Sequence, residues 1–300
     1  MSLFSTWSHS LRRMFVKDMS LPISIVQDPY FEHYIHFLDR QYNTLDKVKL
    51  LEDGLAQFKN EEEFMTAMRK VRESMISSIS SRPGFNKMKS TNLNRNEYKI
   101  PDRSAYKIDM CHKRLISLDL VKANFFCFKR FAPDFVDNKN SYREFAEQFT
   151  DVEYFLNSKK IRQIVFGNLN PKTQQTLMKN TMYKIHAELN INTLGPLPIS
   201  ITSDELILDS SLSIDFYKKW IDDHKNEYDL KVSEFYIEKV PTKISTMFYK
   251  NFSDGSFDLK CCRADYVVEV LRHKYGETCH PYDKIFYNDG RVCEYKDSLF

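Results

Sequence analysis

Seven glycines in 300 residues constrain this chain more than any other feature of it. Glycine lets a backbone wrap closely round a phosphate, and folds organised on such loops carry G-x-x-x-x-G-K-[ST] or G-x-G-x-x-G. Neither pattern occurs here, which argues against the P-loop and dinucleotide-binding α/β classes. Aromatics are abundant instead, with 23 Phe and 17 Tyr. Together with many Lys and Asn, that bias suggests an AT-rich, viral genome. At 42% hydrophobic and 28% charged the composition is that of a globular chain, enough for one large domain or two small ones. The formal net charge of +3 gives no global basic field. A nucleic-acid partner would have to be held by local clusters.

The six cysteines are Cys111, Cys127, Cys261, Cys262, Cys279 and Cys293. A chain of this length buries a core without disulfide staples. There is no secretory signal and no apolar run of 18 residues, so a soluble intracellular protein with no membrane partner is expected. Residues 1–17 are Ser-rich, carry Arg12, Arg13 and Lys17 and lack acids. That faintly resembles a mitochondrial presequence, but an ordinary first helix is the favoured reading.

Residues 24–80 read as helices from their apolar spacing. Asn60 before Glu61, Glu62 and Glu63 has the pattern of an N-cap with acids in the first turn, and Met65, Met68, Val71 and Met75 follow as a core stripe. Residues 81–106 are polar and turn-rich and carry Arg82, Lys87, Lys89, Arg95 and Lys99. They are expected to be a linker or solvated basic loop, with phosphate contact as the sharper alternative. Residues 114–121 alternate as a strand ending near Asp119. An aromatic stretch with Lys129 and Arg130 comes next, followed by helices over 141–149, 152–166 and from Pro171 to Leu189. Residues 199–208 read as a hairpin with Asp204 and Glu205 at its tip, or as one strand broken by those acids. A helix over 214–226, strands at 232–240, 244–250 and 256–260, and a helix over 264–275 complete the chain.

Asp119 and Asp204 are where chemistry is expected to centre. A charge at the end of a buried strand must be solvated or neutralised, and Mg²⁺ meets that need with one or two carboxylates plus substrate phosphates. Lys159 and Arg162 are three apart, and Arg162 and Phe166 four apart, so on a helix they share one face. Two cations and an aromatic could grip a triphosphate and stack on a base. The plainer readings are a strand-end turn residue for each Asp and a solvated basic face with a core Phe for the helix. Zinc on Cys261, Cys262, His273, Cys279, His280 and Cys293 fits no short knuckle spacing, and a Cys/His protease lacks a visible partner arrangement.

Taken in order, SLDLVKANF (117–125), KKIRQIVFG (159–167) and SDELIL (203–208) resemble motifs A, B and C of family A polymerases. The resemblance covers about a third of the chain. It implies Asp119 and Asp204 as ligands of Mg²⁺ or Mn²⁺, with Glu205 beside them. It implies Arg162 on the incoming phosphates, Phe166 facing the nucleotide and Asn124 near the sugar 2′ position. Asn170 falls where the family carries Tyr, and Ser203 where it carries His. Ser158 takes the place of its outer arginine, with Lys159 one residue away. The interval from Phe166 to Asp204 is too short to hold most of the family's fingers.

The resulting expectation is an α+β fold. A helical region, 1–106, with a basic polar loop packs on a palm-like antiparallel core, 107–212, followed by a C-terminal α/β segment, 213–300. The expected function is a minimal nucleotidyltransferase in DNA replication. It would use a nucleoside triphosphate and a nucleic-acid primer or template, with Arg82, Lys87, Lys89, Arg95, Lys129 and Arg130 as candidate strand contacts. The alternative is a nucleic-acid-binding or assembly protein on such a palm without catalysis.

Overall fold

The computed structural model describes residues 4, 6–90, 105–167, 169, 171–191, 198–209, 212–295 and 298–300. The chain opens with five helices: α1 (His9–Asp18), α2 (Tyr30–Tyr42), α3 (Thr44–Leu55), α4 (Glu61–Ser80) and α5 (Pro83–Ser90). Asn60 caps α4, its side-chain oxygen accepting from the Glu63 amide at 2.9 Å, while three glutamates face the positive end of the helix dipole. Met68, Val71 and Met75 are buried, as a core stripe requires. The expected loop after residue 81 begins instead as α5. Pro83 opens that helix, and Phe85 and Met88, three apart, turn into the core. Residues 91–104, with Arg95, lie outside the described residues.

The next elements are β1 (Arg114–Leu120), α6 (Ala123–Phe131), α7 (Tyr142–Ala146), α8 (Glu153–Asn157), α9 (Lys159–Gly167) and α10 (Pro171–Ile191). The single helix expected over 152–166 is two, because Ser158 adopts extended backbone between them. Its hydroxyl accepts from the Ile161 amide at 3.1 Å, which caps α9 and fixes where that helix starts. β2 (Pro198–Ile201) and β3 (Glu205–Asp209) form the expected hairpin, followed by α11 (Ile214–Asp223), β4 (Leu230–Lys239), β5 (Phe248–Phe252) and β6 (Phe257–Lys260). The C-terminal part holds α12 (Val267–Tyr275) and a hairpin of β7 (Ile285–Asn288) and β8 (Arg291–Glu294).

The fold is α+β. Its main sheet is antiparallel throughout, in the order β2-β3-β1-β4-β5-β6. The strand read at the Asp119 end is thus central, and β4 to β6 complete its sheet. The expected boundary at 212/213 lies between β3 and α11, and β4 to β6 beyond it pair into the same sheet as β1 to β3.

Strand alternation gives this sheet two unlike faces. Ile116, Leu118 and Leu120 join Leu206 and Leu208 against Met182, Ile185 and Leu189 of α10 and Trp220 of α11. The other face carries Leu115, Ile207, Phe235, Ile237 and Phe248 under Ala105. Toward the end of β1 that same face turns polar, with Ser117, Asp119, Glu205 and Lys250. The largest apolar cluster unites α1–α5, the helices from α6 to α9, and α12. The sheet is therefore wedged between helices on one side and is open at the acidic end on the other.

Candidate functional site

Asp119 is the penultimate residue of β1, and the antiparallel register sets it opposite Glu205 of β3. One residue on, the Leu120 amide donates to the Asp204 carbonyl at 2.8 Å. Asp204 itself sits in the turn of the β2–β3 hairpin, which the Thr202 amide closes by donating to the Glu205 carbonyl at 2.9 Å. The Ser203 hydroxyl donates to an Asp204 carboxylate oxygen at 3.1 Å. Eighty-five residues of sequence separation thus collapse to adjacent strands through ladder pairing alone.

Both aspartates line a cavity of about 200 Å³. Its other walls are Lys122, Ala123 and Asn124 at the start of α6, and Lys159, Arg162 and Gln163 of α9. α9 presents a cationic face here because Ile161, Val165 and Phe166 turn inward. Burial pulls the Arg162 guanidinium below its ordinary value, against the opposing influence of Tyr142, whose ring lies 5.5 Å away. Partial burial, then the charges of Asp204 and Glu205, push the Asp119 carboxyl up to about 6, although it opens to solvent. Lys250 and Lys231 oppose that rise without cancelling it. The carboxylates are therefore crowded, with more negative charge than their nearest lysines offset.

Glu205 has a different environment from the two aspartates. Its Oε1 accepts from the Ser117 hydroxyl at 2.6 Å and from Lys250 Nζ at 3.0 Å. Burial would raise this carboxyl, but the Lys250 charge and the Ser117 hydrogen bond together hold it below its ordinary range. Lys250 is itself 5% exposed and lies over the Phe235 ring at 4.2 Å. Glu205 is thus committed to a buried ion pair and does not line the cavity of the aspartates.

Of the residues expected around a nucleotide, Lys159, Arg162 and Asn124 line that cavity with the two aspartates. Phe166 does not. It is fully buried, with Phe125, Phe128, Tyr142 and Phe145 ring centroids all within 6.2 Å. Sharing a helical face with Arg162 is only approximate at a spacing of four, and the apolar core has claimed the aromatic side of that face. Asn170 lies outside the described residues.

The expected strand contacts scatter. Arg82 is paired with Asp137 at 3.0 Å, and Lys89 lies over the Phe85 ring. Lys87 and Arg130 line one cavity of about 500 Å³, together with Lys184. Lys129 lines a separate one of about 250 Å³. Lys122, Gln163 and Lys250 belong to the site or its support and were not singled out from sequence. A charged residue inside the predicted strand 244–250 was the one available signal for Lys250, since an unpaired lysine does not sit in a sheet interior.

All six cysteines are unpaired. Among the described residues no group of three or more His, Cys, Asp or Glu side chains is arranged to hold a metal ion. No helix among them is long and apolar enough to cross a membrane. No family model matches the sequence, and no curated protein or solved structure matches it as a relative.

Proposed function

We propose that this protein is a nucleotidyltransferase on a reduced palm-like sheet, resembling the family A polymerases in the order and chemistry of its three motifs. The observation that carries the reading is a single one. Asp119 of β1 and Asp204 of the β2–β3 turn meet in one cavity that the cationic face of α9 also lines.

A 3′-hydroxyl oxygen would attack the α-phosphorus of a nucleoside triphosphate, giving its proton to solvent, and the bond to the bridging oxygen would break to release pyrophosphate. Lys159 and Arg162 would bind the phosphates and stabilise the charge gathering on the leaving group, which is worth most in a partly water-excluded site. Asn124, at the first turn of α6, would face the sugar. A divalent cation such as Mg²⁺ or Mn²⁺ fits the donor set: two hard carboxylates on one cavity, where burial first and then the charges of Asp204 and Glu205 raise Asp119 to about 6. Asp119 and Asp204 would hold it, and it would supply electrostatic stabilisation of the phosphoryl oxygens. Glu205 stays outside that set, because Lys250 and Ser117 hold its Oε1 and it does not line the cavity.

A second reading is supported by the burial of Phe166, which removes the expected base platform. It is a nucleic-acid-binding or assembly protein that keeps the sheet without catalysis.

One assay separates the two: incorporation of labelled nucleotide on a primed template, with Mg²⁺ or Mn²⁺. Asp119→Ala and Asp204→Ala should each lower incorporation about a thousandfold, equivalent to ~4 kcal/mol of transition-state stabilisation. Undiminished activity in Asp119→Ala would end the assignment. No incorporation by the unaltered protein, together with salt-sensitive binding, would favour the second reading.

A further inference from the structure

The turn after β1 has a second side. Behind Lys122 lies a cavity of about 250 Å³, lined by Lys122, Phe126, Lys129, Tyr142 and Lys225 among others. It joins the aspartate cavity in two ways. Lys122 lines both, and Tyr142, in this cavity, lies under the Arg162 guanidinium of the other. A path of positive charge thus runs from Lys159 and Arg162 past Lys122 to Lys129 and Lys225.

The side chains along this path are held toward it rather than scattered. Lys129 Nζ donates to the Asn140 carbonyl at 3.2 Å, which fixes the ammonium at the cavity wall. Lys122 is in the left-handed region at φ 49°, where glycine would be the unstrained choice. It also caps α6 without a side-chain hydrogen bond, so the first amides of that nine-residue helix face the same turn uncapped. Tyr142 is 2% exposed, and its hydroxyl has no hydrogen-bond partner among the described residues. Among the described residues the only acid on the lining is Asp229, against three lysines.

We infer that this second cavity is a binding cleft for the phosphodiester backbone of a single nucleic-acid strand leading to the aspartates. Three lysines against one acid, beside the partly exposed Phe126, are the kind of lining a phosphate backbone meets. A mononucleotide would be served by the first cavity alone. A continuation of the cationic path past Lys122 is of use to a ligand with phosphates at regular intervals. The inference rests on the nucleotidyl-transfer reading for its direction, but its test needs no turnover.

The probes are a fluorescein-labelled ten-nucleotide oligo(dT) and, separately, a fluorescent nucleoside triphosphate, with binding read by anisotropy across a salt series. Lys129→Ala/Lys225→Ala alters two side chains that line this cavity and not that of the aspartates, and unchanged circular dichroism and melting check the fold. Loss of two single-strand phosphate contacts should lower the salt slope by about 1.4 and weaken the oligonucleotide on the order of 25-fold at 0.1 M salt. Triphosphate binding should hold. The inference is overturned if the unaltered protein does not bind the oligonucleotide. It is also overturned if the double variant binds it equally well, if both probes are lost together, or if a blunt duplex competes as strongly as the strand. Should incorporation fail while the oligonucleotide result stands, the cleft survives and the catalytic reading falls.

Discussion

Removing the charge of Asp119 should stabilise the protein while disabling its site. The carboxyl is raised from 3.8 to about 6 on folding, so the unfolded chain tolerates the ionised form better than the folded one. The folded state is therefore penalised at neutral pH. The penalty is absent well below pH 3.8, grows through the window between the two values, and is fully present above about 6. A shift of roughly two units corresponds to a ceiling of about 3 kcal/mol. Because Asp119 is more than a third exposed, solvent screening reduces the realistic figure to about 1 kcal/mol. Asp119→Asn keeps the shape and removes the charge. Urea unfolding at pH 7.5 should show the variant more stable than wild type by about 1 kcal/mol, with roughly half that difference left at pH 5. Adding Mg²⁺ should raise the stability of the wild type and leave the variant nearly unmoved, since a ligand stabilises only the state that binds it. A variant no more stable than wild type at pH 7.5 would refute the argument that these acids are crowded.

Lys250→Met should have the opposite sign, costing about 3 kcal/mol at pH 7 by stranding the largely buried Glu205 carboxylate, and Glu205→Gln in the same chain should recover most of it. The folded Glu205 carboxyl is held below its ordinary value. The contribution of the pair is therefore present above the unfolded value and lost as pH falls through the folded one. Melting of both variants from pH 7 downward checks this, and a double variant no better than the single would count against it. Phe166→Ala should cost about 3–5 kcal/mol through the cavity it leaves among four aromatic rings. Phe166→Leu should lower the melting temperature without raising the KM for nucleotide, and a raised KM at unchanged stability would return Phe166 to the site.

Much of this fold was legible because its signals are local. Asn60 and the three glutamates after it mark the start of α4 by hydrogen bonding within one turn. The alternation of residues 114–121 marks β1, and the acids at 204 and 205 mark the tip of a hairpin. The signals that failed were also local. Ser158 looks like any polar position within a helix over 152–166, yet its hydroxyl caps α9 and divides that helix in two. The basic run after Arg82 looked like a loop, but Phe85 and Met88 find a core that only the folded chain provides.

Scarce glycine argues against phosphate loops and leaves side chains to carry the charge. The sequence by itself determined that Asp119 lies near the end of a strand, that Asp204 lies at a hairpin tip and that Lys159 and Arg162 share a helical face. Only the tertiary structure decided that these four meet in one cavity. It also decided that Phe166, one turn beyond Arg162, belongs to the core, and that Glu205, next to Asp204, answers to Lys250 instead. The physical reason is strand order and the sheet face each residue takes. Lys250 on β5 reaches past β4 and β1 along one face of the sheet to a carboxylate forty-five residues away. No local period or cap records that choice.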